Sequence, residues 1–398
     1  MVIRRYGREW GIYSTINTRI FAAMVYKVIG LMSGSSLDGL DIAYVHLQER
    51  AATSQLPKTW DFSLLHTACY PYPDVWKERL ASATALSALD YQLLDVEYGH
   101  YLGEQVNRFI EEFGLHFNVQ LIVSHGHTTF HWPARKMTAQ LGDGAAIAAE
   151  TRINVVSDLR AMDLALGGQG APIVPIGEKL LLPGYEYFLN LGGIANVSNI
   201  GQAFDVCPAN RVLNALAELE GRPYDDGGAL AATGTVDNVL LQQLNALPYY
   251  GLPYPKSLAN DFGTGIVLPL VLRVVGERGL SIPVALRTYT EHIAVQIGRA
   301  VEKLGVGGVE KTAADESATP RMLVTGGGAH NTFLVERLRY RLGVEVVVPD
   351  EKLADFKEAL IMALIGVLRW REENNVMASV TGASRDSIGG AVWIGQEA

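Results

Sequence analysis

A chain of 398 residues that is 48% hydrophobic and 19% charged has a globular composition, and its length makes two domains the expectation. A net charge of −9 argues against a nucleic-acid partner, which needs a basic face, yet leaves small anions to local backbone amides. The two cysteines, Cys69 and Cys207, form neither a disulfide framework nor a zinc quartet, and the apolar run 359–368 is about half the ~20 residues that span a bilayer. No membrane partner and a reducing, cytoplasmic setting are therefore expected.

Residues 1–23 carry Arg4, Arg5, Arg8 and Arg19 against a single acid, Glu9. They read as a peripheral extension, faintly like a transit peptide, before periodic patterning begins at Met24. Strands are predicted at 26–32, 40–47 and 62–69. The first two are joined by "SGSSLDG", longer than the two to five residues a plain hairpin needs. A helix over 90–113 follows, with Leu93, Leu94, Val96, Tyr101, Val106, Phe109 and Ile110 as its apolar face. "VQLIVSHG" reads as a buried strand ending in a polar loop.

About 160 residues after the opening hairpin, "EYFLNLGGIANVSNI" repeats strand, small turn, strand. Helices are predicted at 209–219, 236–247 and 289–304. "RMLVTGGGAHNTFLVERLRYRL" is strand, triple glycine, helix; "VEVVVPD" is a strand, 356–370 an apolar helix, and "AVWIG" closes the pattern. The recurrence implies a duplicated α/β unit, divided as 24–150 plus 378–398 and 151–377.

Three glycine clusters, each directly after an apolar strand, are candidates for cradling one nucleotide from two domains. They are Gly34 and Gly39 in the opening loop, Gly192 and Gly193 with Asn196, and Gly326, Gly327 and Gly328. Asp38 and Asp41 could hold a metal ion or a water-bridged phosphate. The loop is not a Walker A motif, because no Gly-Lys-Ser/Thr follows. In "DLRAMDLALGGQGAP", Asp158 and Asp163 are both candidate bases, and Asp158 could equally pair with Arg160. His125, His127 and His131 could ligate zinc, wall a polar ligand, or be satisfied structurally. Glu358, at the head of an apolar helix, could simply face the helix dipole. Asp225 and Asp226 could be helix caps.

From Met24 onward the sequence resembles the anhydro-N-acetylmuramic acid kinases, within the actin, Hsp70 and hexokinase-like ATPase superfamily. The resemblance rests on "GLMSGSSLDGLDIA", "SHGHTTFHWP", "QLGDGAAIA", "DLRAMDLALGGQGAPIVP", "NLGGIANVS", "YDDGGALAATG" and "VTGGGAHN". It implies an α/β fold of two RNase H-like (actin-like ATPase) domains around a central nucleotide cleft. It also implies ATP and Mg²⁺ as cofactors and a small-molecule sugar substrate, with a homodimer open as the assembly. The opening loop, Gly34, Ser35, Ser36, Leu37, Asp38, Gly39, Leu40 and Asp41, would meet the phosphates, with Asp38 at the metal. Asp163 would be the base. His127, Glu358, Gln140, Asp143 and Gln169 would meet the sugar. The chain departs from the family pattern at His127, where Gln is usual, and at "CPANRVLN", where Cys207, Ala209 and Asn214 replace residues expected near phosphate or sugar. Two other readings stay open: a kinase of another anhydro-sugar or hexose, and a nucleotide-switched binding protein.

Overall fold

The computed structural model describes residues 24–34, 37–50, 58–253, 256–258, 262–305 and 319–395. The N-terminal extension and the loop serines Ser35 and Ser36 lie outside the described residues.

The strands are β1 (Val25–Ser33), β2 (Gly39–Arg50), β3 (Thr59–Pro71), β4 (Leu121–Ser124), β5 (His127–Trp132), β6 (Met137–Leu141) and β7 (Val155–Ser157). They continue as β8 (Tyr187–Leu191), β9 (Ile194–Ser198), β10 (Ala203–Pro208), β11 (Arg321–Thr325), β12 (Glu345–Val347) and β13 (Ala391–Trp393). Two sheets result, ordered β13-β7-β4-β1-β2-β3 and β10-β9-β8-β11-β12, beside a small β5-β6 hairpin. Each opens with an antiparallel meander (β1-β2-β3, β8-β9-β10) and adds two parallel strands beside its first (β4 and β7, β11 and β12). The shared plan is the duplicated unit that the sequence implied. The short parallel strands are buried, which is why they read as unbroken apolar runs.

One core joins the two units. The helix Glu351–Trp370 buries Leu360, Ile361, Leu364, Ile365 and Val367 against Val28, Val45 and Val123 of the first sheet and Phe188 and Leu323 of the second. Its approach to the first sheet depends on glycine: a Cβ on Gly366 would run into the Val123 side chain, and one on Gly30 into the Ala359 carbonyl.

Three expectations change. The boundary at 150 falls one strand early, because β7 pairs with β4 and β13 in the first sheet. On the helix Ala88–Glu112, Leu93 and Val96 are 50% and 43% exposed, and the buried stripe runs through Leu94, Tyr98, Tyr101 and Leu102 instead. The helix predicted from 289 begins at Ile282, since Pro283 sits in its first turn, where a missing N–H costs nothing.

Candidate active site

A cleft of about 1190 Å³ opens between the two sheets. All three glycine clusters reach it: Gly34, Gly192 with Gly193, and the run 326–328 line its walls. The second turn is closed by the carbonyls of Gly192 and Gly193, which accept the amides of Asn210 (3.1 Å) and Ala209 (2.8 Å). At the third, Gly326 has φ +83°, and a Cβ there would fall on the Asn190 side-chain oxygen, so only glycine fits.

The opening loop divides its residues between cleft and core. Gly34, Asp38 and Asp41 face the cleft. Leu40 is buried in the core, Leu37 packs against the same cluster, and Gly39 is in β2, where a Cβ would press on the Tyr70 carbonyl at 2.7 Å. Ser33 is buried at the loop's root, 3.2 Å from His127 Nδ1 and accepting the Tyr72 hydroxyl at 2.9 Å. Asn196 lines the cleft and donates to Asp205 at 3.1 Å.

Asp163 is fully buried in the helix Ala161–Ala165. Its carboxylate accepts the Gly170 amide at 2.7 Å and the Thr381 hydroxyl at 2.6 Å. The Gly168–Gly170 turn covers it: a Cβ on Gly168 would collide with the carboxylate. Asp163 is thus one layer behind the cleft wall, which Arg160, Ala171 and Pro172 provide on this side. Asp158 is exposed and accepts from Ser157 at 3.0 Å. It forms no pair with Arg160, which reaches instead to His125 and to the Gly170 carbonyl.

His125, His127 and His131 do not converge on a metal, and no cluster of three or more His, Cys, Asp or Glu able to hold one exists among the described residues. Burial lowers His125 to a pKa of about 3, with Arg160 adding to the effect, and lowers His127 to about 4. Both are neutral hydrogen-bonding groups on the cleft wall.

Glu358 faces the cleft, and Asn190 donates to it at 3.3 Å. Burial pushes its carboxyl above the ordinary value, against the pull of Lys357 and Arg160. Next to it, Lys357 and Glu178 form a buried ion pair at 2.7 Å, and Ser198 donates to the other Glu178 oxygen at 2.7 Å. Asp41 is pushed up to about 6, first by burial and then by Glu358, Asp355 and Asp38, while a hydrogen bond with Cys69 opposes the rise. Carboxylates outnumber cationic side chains along the cleft.

The other expected sugar residues do not line the cleft. Gln140 on β6 donates to Thr138 at 2.6 Å, and Asp143 caps the helix Gly144–Thr151 through the Ala146 amide at 2.6 Å. Gln169 gives its amide to the Thr381 carbonyl at 2.8 Å. Asp225 is a cap, accepting from Leu230 and Ala231 at 2.8 and 2.9 Å. Of the departures, Cys207 and Ala209 are fully buried in the core, whereas Asn214 lines the cleft. Sequence reasoning missed Arg160 as a cleft residue and missed the pair Lys357–Glu178. "KE" at the head of an apolar helix was the only local signal for the latter.

Comparison with known proteins matches residues 26–395 to the family model for anhydro-N-acetylmuramic acid kinase. A relative of that name from Gloeobacter violaceus is 35% identical, covering 90% of this chain and 96% of its own. One from Streptomyces coelicolor is 35% identical over 93% and 94%, and one from Vibrio cholerae 32% identical over 92% and 97%. Among solved structures, the activator of the 2-hydroxyisocaproyl-CoA dehydratase from Clostridium difficile aligns at a TM-score of only 0.40 and 14% identity, covering 88% of this chain and 96% of its own. That likeness is too slight to bear on function. The glycine turns, the cleft between two like units and the near full-length matches agree: the chain belongs to the anhydro-N-acetylmuramic acid kinase family.

Proposed function

We propose that the chain hydrolytically opens 1,6-anhydro-N-acetylmuramic acid and phosphorylates its O6 from ATP, giving N-acetylmuramic acid 6-phosphate and ADP for cell-wall recycling. The observation that carries this reading is the convergence of three glycine turns, from both units, on one cleft in a chain of this family. Single-ligand pockets run to ~1,000 Å³, so a cleft of about 1190 Å³ has room for nucleotide and sugar together.

The amides of Gly34, Gly192, Gly193 and the 326–328 turn would hold the phosphates, as glycine-marked turns do. A polyphosphate entering a cleft rich in carboxylates needs a cation between them. Asp41 and Asp38, which both face the cleft from the opening loop, are the residues that would hold Mg²⁺. The ion, when bound, neutralises phosphate charge. Asp163 would take a proton from the water whose oxygen bonds to C1 of the sugar. The C1–O6 bond breaks with its electron pair on O6, and O6 accepts the γ-phosphoryl group as ADP leaves. Two of the roughly four lone-pair sites on the Asp163 carboxylate are engaged by Gly170 and Thr381, which leaves acceptors for a water once the covering turn shifts. Glu358 and His127 would orient sugar hydroxyls, with Gln140, Asp143 and Gln169 as further candidates for the sugar side.

One observation favours a second assignment of the base. Glu358 faces the cleft and Asp163 does not, and a carboxyl raised by burial suits proton acceptance. The overall reaction is tested by ADP release from ATP with 1,6-anhydro-N-acetylmuramic acid, N-acetylmuramic acid, levoglucosan and glucose. ADP release that depends on the first sugar is expected. Release independent of any sugar would overturn the reading in favour of a nucleotide switch.

A further inference from the structure

Arg160 lines the cleft, and its guanidinium has no salt-bridge partner among the described residues. Its Nε and Nη2 both donate to His125 Nε2, at 3.0 and 2.8 Å, and its Nη1 donates to the Gly170 carbonyl at 3.0 Å. His125 in turn directs Nδ1 at the Gly126 carbonyl, 2.8 Å away, which fixes the proton there and leaves Nε2 as the acceptor that Arg160 requires. Both partners of the cation are therefore neutral. The nearby carboxylates are engaged elsewhere: Asp158 by Ser157, and Asp163 by Gly170 and Thr381. Glu358 acts on Arg160 only through space. A guanidinium has five N–H donors. The observed contacts use three, leaving one on each Nη free to meet an anion.

A charged group drawn into a protein wall against neutral partners is costly unless an anion completes it. The reaction offers two anions, the nucleotide phosphates and the lactyl carboxylate of the sugar. The glycine turns at 34, 192–193 and 326–328 already supply amides for the former. Arg160 instead immediately precedes the short helix that carries Asp163, on the wall shared with His127, Ala171 and Pro172.

Resting on the function proposed above, we infer that Arg160 receives the lactyl carboxylate of the sugar and is the residue that selects an acidic anhydro-sugar over a neutral one. His125 is its positioning residue, holding the fork open toward the cleft. The family-atypical His127 does not compete for the carboxylate, because it is neutral and engaged with Ser33.

The test compares calorimetric affinities for 1,6-anhydro-N-acetylmuramic acid, its methyl ester and 1,6-anhydro-N-acetylglucosamine, with ADP affinity measured alongside. A hydrogen-bonded charge contact is worth ~10- to 100-fold, so the unaltered protein should prefer the acid over both neutral sugars by about that factor. Arg160→Gln should bring the acid-to-neutral ratio to within about threefold, while Arg160→Lys retains part of it. An unaltered protein that binds acid and ester alike overturns the inference without any variant. So does an Arg160→Gln variant that weakens all three sugars equally, or that weakens ADP and leaves the sugar ratio intact. If no anhydro-sugar binds while another sugar is phosphorylated, the proposed function itself falls and this inference with it.

Discussion

Replacing Asp163 with Asn separates chemistry from structure because the site can absorb the change. The carboxylate accepts from the Gly170 amide at 2.7 Å and from the Thr381 hydroxyl at 2.6 Å. An asparagine keeps one oxygen for the amide and turns its NH₂ toward Thr381. The threonine hydroxyl can then donate to the Met377 carbonyl, already 3.4 Å away. What is lost is the charge assistance of two hydrogen bonds, about 1 kcal/mol each and about 2 kcal/mol in all. The folded state should survive with a lower melting point, and nucleotide and sugar should bind at near unaltered affinity. Turnover should fall by ~10²- to 10⁴-fold, the usual cost of removing a general base. Coupled ADP release at saturating ATP and anhydro-sugar reads the rate, with calorimetry and a thermal melt on the same sample. The reasoning is refuted if Asp163→Asn keeps more than about a tenth of the turnover. Should Glu358→Gln be the dead variant instead, the base is the carboxylate that faces the cleft.

Other expectations follow from the same site. The raised Asp41 binds more protons folded than unfolded between its ordinary pKa and about 6, so it destabilises the apo protein increasingly as pH rises through that window. Asp41→Asn should therefore raise the apo melting point at pH 7.5 and lose that advantage toward pH 4; an advantage independent of pH would contradict the assignment. Gly326→Val combines a φ of +83° with a collision at Asn190, and should weaken ADP binding at least tenfold in a folded variant, read by calorimetry. Unchanged ADP affinity would move the nucleotide away from this turn. Lys357→Met strands the buried Glu178 and should cost about 3–5 kcal/mol in urea unfolding, whereas adding Glu178→Gln recovers much of it. Equal loss in the single and double variants would mean that the stranded charge is not the source of the loss. Nucleotide and sugar together should reduce the radius of gyration in small-angle scattering, and an identical radius with and without both ligands would argue against closure.

The sheets were legible because their strands carry strong signals. Runs such as "LIVS" at β4 are buried on both sides, and the two meanders repeat the same strand–turn–strand pattern. The weaker parts had physical causes. β7 is three residues long, and its place in the first sheet is set by pairing with β4 and β13, far away in sequence. Leu93 and Val96 satisfied the helical period as well as Leu94 did; only the neighbouring elements decided which side was covered. The glycine clusters announced themselves by composition. Arg160 did not, because local pattern offered Asp158 as its partner. The actual partner, His125, directly follows β4, 35 residues earlier in the chain.

The clamp on Asp163 is synthesised after all three glycine turns. Thr381 supplies one of the two hydrogen bonds to the carboxylate and also holds the Gln169 amide, and β13 closes the edge of the first sheet soon after. A nascent chain emerging from the ribosome therefore displays all three glycine turns before the Asp163 carboxylate has this support.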